Sequence, residues 1–447
     1  MPYQSSLNDH QFKVNHQRDR KAIENKRTGP IRLNHQKPEH GKKIALIGWN
    51  VSSIEAMEKL NRPFVIVSLP GFEDYAKQHN IPFVGWDFDT KLTYKQVYDR
   101  SKELYQTLKE FQCDHAIPAF EETVEWAGAL NAYFRNDPKI FDHSILFRDK
   151  AMMKRRAHIG GLKVGVFEEV DNKEEVRRFF RRVNDMLLRS RDNNHDPIHV
   201  KALNKAGAAG HRMIRSEDDI DKKLSEDNFP CLIESHLDGV EISCEAFIFK
   251  GEVKFLNITE YVVFGYSMMV PPIPEIEKYR PLVRKEVEKL VDAFDIKYGI
   301  IHPEFFIADD EHLYFGEVAY RIPGGHIFEL MQKSYNFNPF EAHILCCDPN
   351  TEEEELDKIF PDETSAKGYA GSFLVYPKKK YITDVNIPKE LEEHPCFEKH
   401  TLFQPAVNKV QDLEGYGNHL GTIFFYGDDS EQVHQQLMNY VDHDFYV

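Results

Sequence analysis

Glu304 and Glu317 have the residue type and spacing needed to hold a divalent cation. Two apolar, β-prone segments flank the polar residues 309–311, which predicts a β-hairpin. If Asp310 and Glu311 form a two-residue loop, Glu304 and Glu317 face each other across the strands. Carboxylates in that position repel, and a Mg2+ ion held against phosphates relieves the repulsion. The hairpin therefore predicts a metal and phosphate site, with an exposed acidic hairpin as the alternative.

A second segment carries residue types that bind phosphate. Lys201 lies on a predicted strand, and Gly207, Ala208, Ala209 and Gly210 form a small-residue loop before the next strand. Backbone N–H groups in such a loop can surround phosphate oxygens, and a lysine adds a compact positive charge. An ordinary turn is the alternative for this segment taken alone. The sequence has no GxxxxGK[ST], HExxH or GxSxG motif, so a P-loop and the simplest protease and esterase sites are excluded.

The elements that would hold these residues follow a regular pattern. From about residue 41 to residue 148, buried-strand patterns alternate with helical patterns, which predicts a parallel α/β unit. Ligands bind at the carboxyl ends of the strands in such sheets. Glu121 and Glu122 directly follow the strand pattern HAIPAF and so occupy such a place. First-turn helix acids are the alternative for this pair.

Composition and charge bound the class of protein. The 447 residues, 41% of them apolar, are enough for several globular cores, and no run of 18 apolar residues predicts a membrane span. The first residues lack the apolar segment of a secretory signal, so we expect a cytoplasmic location. Six cysteines without CxxC spacing indicate reduced thiols rather than disulfides or a zinc site.

The charge is unevenly distributed along the chain. Residues 1–40 carry eight basic and four acidic side chains, whereas the rest carries 49 basic and 69 acidic ones. An acidic body argues against nucleic-acid binding by the main fold. Because residues 1–40 have almost no apolar periodicity, we expect a disordered or loosely docked arm. An arm that binds nucleic acid or another partner is the alternative.

Five segments, in this order, carry a resemblance to a known family. They are DHAIPAFEETVEWAGALNAYF, FRDKAMMKRRAHIGGLKV, IHVKALNKAGAAGHRMI, CLIESHLDGVEISCEAF and HPEFFIADDEHLYFGEVAYRIPGGH. They are similar to the central segments of the ATP-grasp enzymes, in the carboxylate–amine ligase branch that includes the L-amino-acid (dipeptide) ligases. The resemblance runs from about residue 41 to 345 and more loosely to the C-terminus.

The resemblance implies a multidomain fold of mixed α/β and α+β class. This is the ATP-grasp fold, with an N-terminal parallel α/β domain and a C-terminal β-rich lid or extension. The expected units are the basic arm over 1–40, the N-terminal α/β domain over 41–148, the ATP-grasp small (lid) subdomain over 149–230, the large subdomain with the metal hairpin over 231–355, and the C-terminal subdomain over 356–447.

The resemblance also implies how the chain binds ATP. Lys150 and Lys201 would contact the phosphates, and the loop 207–210 would close over them. Glu234 and Leu237 would recognise the adenine and ribose, largely through backbone groups.

Further implied roles concern the metal and the reaction. Glu241 would take the acidic position after the adenine-binding segment. Glu304 and Glu317 would bind one or two Mg2+ ions, with Mn2+ as an alternative metal. Arg321 would act in catalysis together with the phosphate-binding lysine by stabilising the phosphoryl oxygens, and Gly325 would lie near the acceptor carboxylate.

Two positions leave alternatives open. Many family members have Asn two residues after the second metal-binding glutamate, and Ala319 stands there in this chain. A third protein ligand to one metal is therefore missing, which leaves the number of ions open because Mg2+ readily keeps water ligands. His302 would touch the substrate or the metal shell, or else make a structural hydrogen bond.

The implied reaction is ATP-dependent formation of an amide or peptide bond between a small carboxylate and a small amine. It passes through an acyl phosphate, releases ADP and phosphate, and uses amino acids or a small peptide. The alternative is an ATP-grasp protein that binds nucleotide for sensing or assembly with little catalysis. Retention of all five charged residues of the phosphate and metal site favours the enzyme. A homodimer is a further expectation from the resemblance, and we expect no membrane partner.

Overall fold

The chain folds around three β-sheets. The computed structural model describes residues 17–24, 41–187, 196–205, 207–402, 410 and 419–447. Within these ranges, no helix has the length and apolar character needed to cross a membrane. All six cysteines are free thiols, and burial raises the pKa of the Cys113 and Cys231 thiols to about 12. That the thiols are reduced stays a prediction from the sequence.

The first sheet has four parallel strands in the order β3-β2-β1-β4. Its strands are β1 (Lys43–Ile47), β2 (Phe64–Ser68), β3 (Phe83–Gly85) and β4 (Cys113–Pro118). Its helices are α2 (Val51–Lys59), α3 (Glu73–Gln78), α4 (Tyr94–Glu110), α5 (Val124–Arg135) and α6 (Lys139–Ile145). The strands are short and mostly buried because helices cover both faces. The predicted parallel α/β unit is confirmed, and Glu121 follows the carboxyl end of β4.

The second sheet, here called the small sheet, is antiparallel in the order β5-β8-β6-β7. Its strands are β5 (Phe167–Val170), β6 (Ile198–Ala202), β7 (Arg212–Ile214) and β8 (Cys231–Ser235). Helix α7 (Lys150–Ile159) precedes it, and α8 (Lys173–Leu187) and α9 (Glu217–Lys223) belong to it. This sheet has its own apolar core, whereas a separate small cluster around Ala151 joins it to α7.

The third sheet, here called the large sheet, has eight strands in the order β13-β12-β9-β10-β11-β14-β16-β15. Its strands are β9 (Val240–Phe249), β10 (Glu252–Val263), β11 (Ser267–Val270), β12 (Tyr298–Ile307), β13 (Leu313–Ala319), β14 (Tyr369–Leu374), β15 (Phe397–His400) and β16 (Thr422–Gly427). Its helices are α10 (Pro274–Glu277), α11 (Arg280–Phe294), α12 (Ile327–Tyr335), α13 (Pro339–Cys347), α14 (Glu353–Ile359), α15 (Lys389–Glu392) and α16 (Ser430–Asn439). The C-terminal strands thus extend the large sheet.

Side-chain alternation along β9 determines where the site lies. Ile242, Cys244 and the following even-numbered residues pack into the core shared with the parallel sheet. On the opposite face, the polar side chains of residues 241–245 give way to Phe247 and Phe249, which enter a second core. One end of this face is therefore polar and the other end is packed apolar core.

Residues 17–24 correct the expectation of a disordered or loosely docked basic arm. They form a helix, here α1, in which Arg20 is 2% exposed and Ile23 is 7% exposed. The prediction is wrong for this segment because the buried face of α1 is anchored by ion pairs, which produce no apolar periodicity. The other residues of 1–40 lie outside the described residues.

Candidate active site

The predicted carboxylate pair is present on the hairpin formed by β12 and β13. Glu304 and Glu317 are direct cross-strand partners. The connecting loop contains three residues, because the Ala308 N–H donates to the His312 carbonyl oxygen, and the expected two-residue loop is wrong. A β-bulge at Gly316 adds one residue to β13 and shifts the pairing back by one position. The longer loop and the bulge compensate each other, so the two glutamates still meet.

Lys150 lies at the start of α7 and faces this pair. Its Nζ lies 2.5 Å from the Glu317 Oε2 atom. Burial raises the pKa of Glu317, but the charges of Lys150 and Lys201 outweigh that effect and hold the pKa at about 2. Glu317 is therefore ionised at neutral pH, and the cations that keep it ionised are the two predicted phosphate-binding lysines.

A second ion-paired group links α7 to the small sheet. The Glu234 carboxylate on β8 lies between the Lys201 Nζ atom, at 2.9 Å, and the Lys154 Nζ atom, at 2.6 Å. Burial of Glu234 would raise its pKa, and the two ammonium groups hold it well below its usual range. Lys154 also donates to the Phe315 carbonyl oxygen on β13, at 2.8 Å. Lys154 therefore connects the small sheet to the hairpin that carries Glu304 and Glu317.

Glu241 and Glu304 behave in the opposite way from Glu317. Burial, and then the charge of Glu304, raises the pKa of Glu241 to about 8. Burial, and then the charge of Glu317, raises the pKa of Glu304. These carboxylates carry their negative charge at a cost in the protein alone. A bound cation removes that cost, so this donor set fits the predicted Mg2+.

The protein supplies only part of a metal coordination shell. Among the described residues, no group of three or more His, Cys, Asp or Glu side chains is placed to hold a metal ion. Glu304 and Glu317 fit a site that is completed by phosphate oxygens and water, which is the usual arrangement for Mg2+ in phosphoryl-transfer sites. Ala319, at the position where family members have Asn, pairs with His302 across the strands.

The predicted phosphate loop is a tight turn between β6 and β7. Gly207, Ala208 and Gly210 have positive φ angles of 58°, 60° and 73°. The His211 N–H donates to the Ala208 carbonyl oxygen at 3.1 Å. Backbone N–H groups in a turn conformation can form an anion-binding concavity. Leu237 lies in the irregular segment after β8 and is half-buried.

Arg321 contacts Glu121 rather than the Glu304–Glu317 pair. Its Nε donates to the Glu121 Oε2 atom at 2.7 Å, and the other Glu121 oxygen accepts from Arg148 at 2.5 Å. Burial raises the pKa of Glu121, but the charges of Arg321, Arg148 and Lys150 outweigh it and lower the pKa below its usual range. An ionised carboxylate and two guanidinium groups thus meet where β4 and β13 end.

Gly325 lies beside the large sheet, close to a methionine. Its φ is +64°, and a Cβ atom there would lie 2.3 Å from the Sδ atom of Met268 on β11. The Gly325 carbonyl oxygen accepts a hydrogen bond from Ser372 on β14 at 2.9 Å. The C-terminal strands therefore fix the backbone of the segment predicted to lie near the acceptor carboxylate.

A buried polar network supports the carboxylate pair from below. Glu245 is 0% exposed and bonds the His302 Nδ1 atom at 2.9 Å, the Asn257 Nδ2 atom at 2.5 Å and the Thr259 hydroxyl at 2.8 Å. The His302 Nε2 atom then lies 3.9 Å from the Glu304 Oε1 atom. His302 makes the structural hydrogen bond that was one of its two predicted roles, at the edge of the metal site.

Sequence reasoning missed three charged residues of this site, namely Lys154, Arg148 and Glu245. Lys154 had a usable signal, because it follows Lys150 by four residues and therefore lies on the same face of α7. Arg148 and Glu245 had none, since each finds its partners through tertiary packing.

The chain is similar in sequence and in fold to known proteins. No protein-family model matches the chain. Over 369 residues, it is 22% identical to the L-arginine-specific L-amino acid ligase of Bacillus subtilis, an alignment that covers 77% of this chain and 82% of the relative. The crystal structure of an L-amino acid ligase from Bacillus licheniformis matches with a TM-score of 0.67 and 18% identity, over 90% of this chain and 97% of that one.

This chain has the ATP-grasp fold and is similar to ATP-grasp ligases. The predicted resemblance and the predicted fold are thereby confirmed. A further structural match to this chain is the biotin carboxylase domain of 2-oxoglutarate carboxylase from Hydrogenobacter thermophilus, crystallised as a dimer with MgADP. It has a TM-score of 0.60 and 14% identity, and the match covers 88% of this chain and 87% of that one.

Proposed function

We propose that this ATP-grasp ligase joins the carboxylate of one amino acid or small peptide to the amine of another through an acyl phosphate. The observation that carries the proposal is the Glu304–Glu317 pair with Lys150 against it at 2.5 Å. Phosphoryl transfer needs positioned positive charge around the phosphates, and this arrangement provides sites for it.

The proposed reaction has two chemical steps. A substrate carboxylate oxygen attacks the γ-phosphorus of ATP, the bond to the bridging oxygen breaks, and ADP leaves. The amine nitrogen then attacks the acyl carbon, the bond from that carbon to the phosphate oxygen breaks, and the nitrogen loses a proton as the amide forms. The first step is needed because a carboxylate has only oxide as a leaving group. Holding both reactants in place supplies much of the rate.

Residues of the site have separate roles in this scheme. Lys150 and Lys201 neutralise phosphate oxygens, and backbone groups of the 207–210 loop surround them. Arg321 stabilises the phosphoryl oxygens in transfer. When bound, Mg2+ supplies charge neutralisation between the phosphates, and Glu304 and Glu317 would hold it. We infer one or two ions, with Mn2+ as an alternative metal, because Ala319 contributes no ligand.

The charged groups beside Arg321 support an amino-acid substrate. Glu121 lies between Arg321 and Arg148, at the carboxyl end of β4. A zwitterion has one ammonium and one carboxylate group, and an ionised glutamate next to guanidinium groups complements both charges. Glu121 would bind the ammonium group of the substrate that is activated. A homodimer stays a prediction from the resemblance, and a cytoplasmic location stays a prediction from the sequence.

The direct test measures phosphate release from ATP–Mg2+ across a panel of amino acids, offered alone and in pairs, with mass spectrometry of the products. We expect phosphate and dipeptide to appear only with particular pairs. Glu317→Ala should abolish both, because the variant lacks half of the carboxylate pair. Glu311→Ala is the matched control, since Glu311 is exposed at the loop of the same hairpin.

The outcome also separates the proposed ligase from its alternative. If ATP binds but no pair of amino acids or small peptides yields phosphate, the chain is a nucleotide-binding protein with little catalysis, and the proposal fails. Equal phosphate release by the Glu317→Ala variant and the native protein would place the reaction elsewhere.

A further inference from the structure

Helix α1 joins parts of the molecule that belong to different sheets. The Gln17 side chain donates to the Asp171 carboxylate, just after β5, at 2.8 Å. The Asp19 carboxylate accepts from the backbone N–H of Lys95, in the first turn of α4, at 2.7 Å. Ile23 lies in the core that the parallel sheet shares with the large sheet. Helix α1 therefore contacts both the parallel-sheet unit and the small sheet. It lies outside the segments that resemble ATP-grasp enzymes.

Arg20 makes the most buried of these contacts. Its Nη2 lies 3.0 Å from the Asp149 Oδ1 atom, and its Nε pairs with the other oxygen of the same carboxylate. Its Nη1 donates to the Glu169 Oε1 atom on β5 at 2.7 Å. Arg20 is 2% exposed and Asp149 is 0% exposed. Burial lowers the pKa of Arg20, and the two carboxylates outweigh this and raise it above its ordinary value.

Asp149 connects Arg20 to the active site through a helix terminus. The Asp149 Oδ1 atom, which Arg20 contacts, also accepts from the backbone N–H groups of Ala151 and Met152 and so caps the start of α7. Lys150, the first residue of α7, bonds Glu317 on the metal hairpin. The Asp149 Oδ1 atom therefore accepts hydrogen bonds both from Arg20 on α1 and from the first turn of α7, which carries Lys150.

We propose that α1 is a strap that fixes the small sheet against the parallel-sheet unit, and that Arg20 positions Lys150 for the ATP phosphates. The second half rests on the proposed function, because the phosphate-binding role of Lys150 does. Arg20 is a positioning residue, since it touches neither the metal pair nor the phosphate loop within the described residues. Its two carboxylate partners are Asp149, the N-cap of α7, and Glu169 on β5, so Arg20 connects the start of α7 to β5.

The test uses the full-length protein with three substitutions. Arg20→Met keeps most of the side-chain volume and removes the charge and the donors, and Arg20→Lys keeps the charge alone. Arg18→Met is the matched control, because Arg18 is exposed on the same helix. The measurements are the Kd of ATP–Mg2+ by calorimetry, hydrogen exchange of the first turn of α7 and of β5, and the stability to urea.

We expect Arg20→Met to weaken ATP–Mg2+ binding by at least about fivefold, a typical lower value for coupling between sites. Hydrogen exchange in the first turn of α7 and in β5 should rise, Arg20→Lys should restore part of both effects, and Arg18→Met should change neither. A loss of stability alone, with affinity and exchange as in the native protein, would reduce α1 to a structural element and overturn the proposal.

Two further measurements distinguish failure of this proposal from failure of the variant to fold and from failure of the proposed function. If Arg20→Met does not fold, Glu169→Gln removes one ion pair and leaves Asp149 in place, and it should change affinity and exchange in the same direction. If the native protein binds no ATP, the proposed function fails. Hydrogen exchange in the first turn of α7 and in β5 then tests by itself whether α1 fixes the small sheet. Unchanged exchange in α7 and β5 of the folded variant would overturn it.

Discussion

Replacing one of the two facing glutamates should stabilise the metal-free protein while removing its response to Mg2+. Burial and the charge of Glu317 raise the pKa of Glu304, so the ionised form of Glu304 is destabilised in the folded protein. Glu304→Gln keeps the shape of the side chain and leaves the Oε1 atom to accept from the Tyr261 hydroxyl, now at 3.2 Å. The substitution therefore removes the repulsion with little change in packing.

The size of the effect follows from the cross-strand geometry. Facing side chains lie about 5 Å apart, and two unit charges at that distance repel by about 3 kcal/mol at an effective dielectric constant of 20. Lys150 and Lys201 attract the same carboxylates and offset part of this energy. We expect Glu304→Gln to raise the free energy of unfolding in EDTA by about 1–2 kcal/mol.

The assay is urea unfolding followed by circular dichroism, in EDTA and then with saturating ATP–Mg2+. A ligand at 100 times its Kd stabilises the native protein by about 2.7 kcal/mol, whereas the Glu304→Gln variant should gain far less. The order of stability should therefore reverse between the two conditions. Glu311→Gln, on the exposed loop, should behave as the native protein. A Glu304→Gln variant that is less stable than the native protein in EDTA would refute the reasoning.

Three other perturbations have expected outcomes. The folded Glu241 keeps its proton up to about pH 8, whereas the unfolded chain loses it near pH 4.5. The free energy of unfolding of the metal-free protein should therefore fall between about pH 5 and pH 8, by at most about 4 kcal/mol. Urea unfolding at several pH values should show this fall, and Glu241→Gln should reduce it. Gly128→Ala would bring a Cβ within 2.2 Å of the Ser144 Oγ atom between α5 and α6, so thermal unfolding should show a loss of about 1–3 kcal/mol, with native stability contradicting the packing. Lys154→Met leaves one cation on Glu234, so the KM for ATP should rise about tenfold or more in a phosphate-release assay, and an unchanged KM would contradict the link between small sheet and hairpin.

The sequence predicted the carboxylate pair correctly although one of its steps was wrong. Alternation and turn residues located the hairpin, but a two-residue loop and a three-residue loop have almost the same composition. The bulge at Gly316 depends on its partner strand, because a Cβ there would lie 3.0 Å from the Glu304 carbonyl oxygen. Local patterns therefore identify strands more reliably than they identify register.

The arm and the arginine cluster show what sequence patterns leave out. The partners of Arg20 lie 129 and 149 residues away along the chain, and Arg321 lies 200 residues from its partner Glu121. Hydrophobic periodicity carries no information on ion pairs over such separations, so a buried arginine resembles a surface one. Prediction therefore worked for the strands, the helices and the hairpin carboxylates, and failed for side chains anchored by distant charges.

The continuous large sheet limits how this chain can be divided or recombined. β14 pairs with β11 through Ser267–Phe373, Met268–Ser372, Met269–Gly371 and Val270–Ala370. A crossover between two homologous genes within residues 351–368 would join two halves of one sheet, and the chimera would function only if those pairs kept their register. The pairing of β11 with β14 should also allow fragment complementation, since two separately expressed halves can recognise each other by strand pairing. Modular exchange should therefore succeed at the small sheet before it succeeds at the C-terminus.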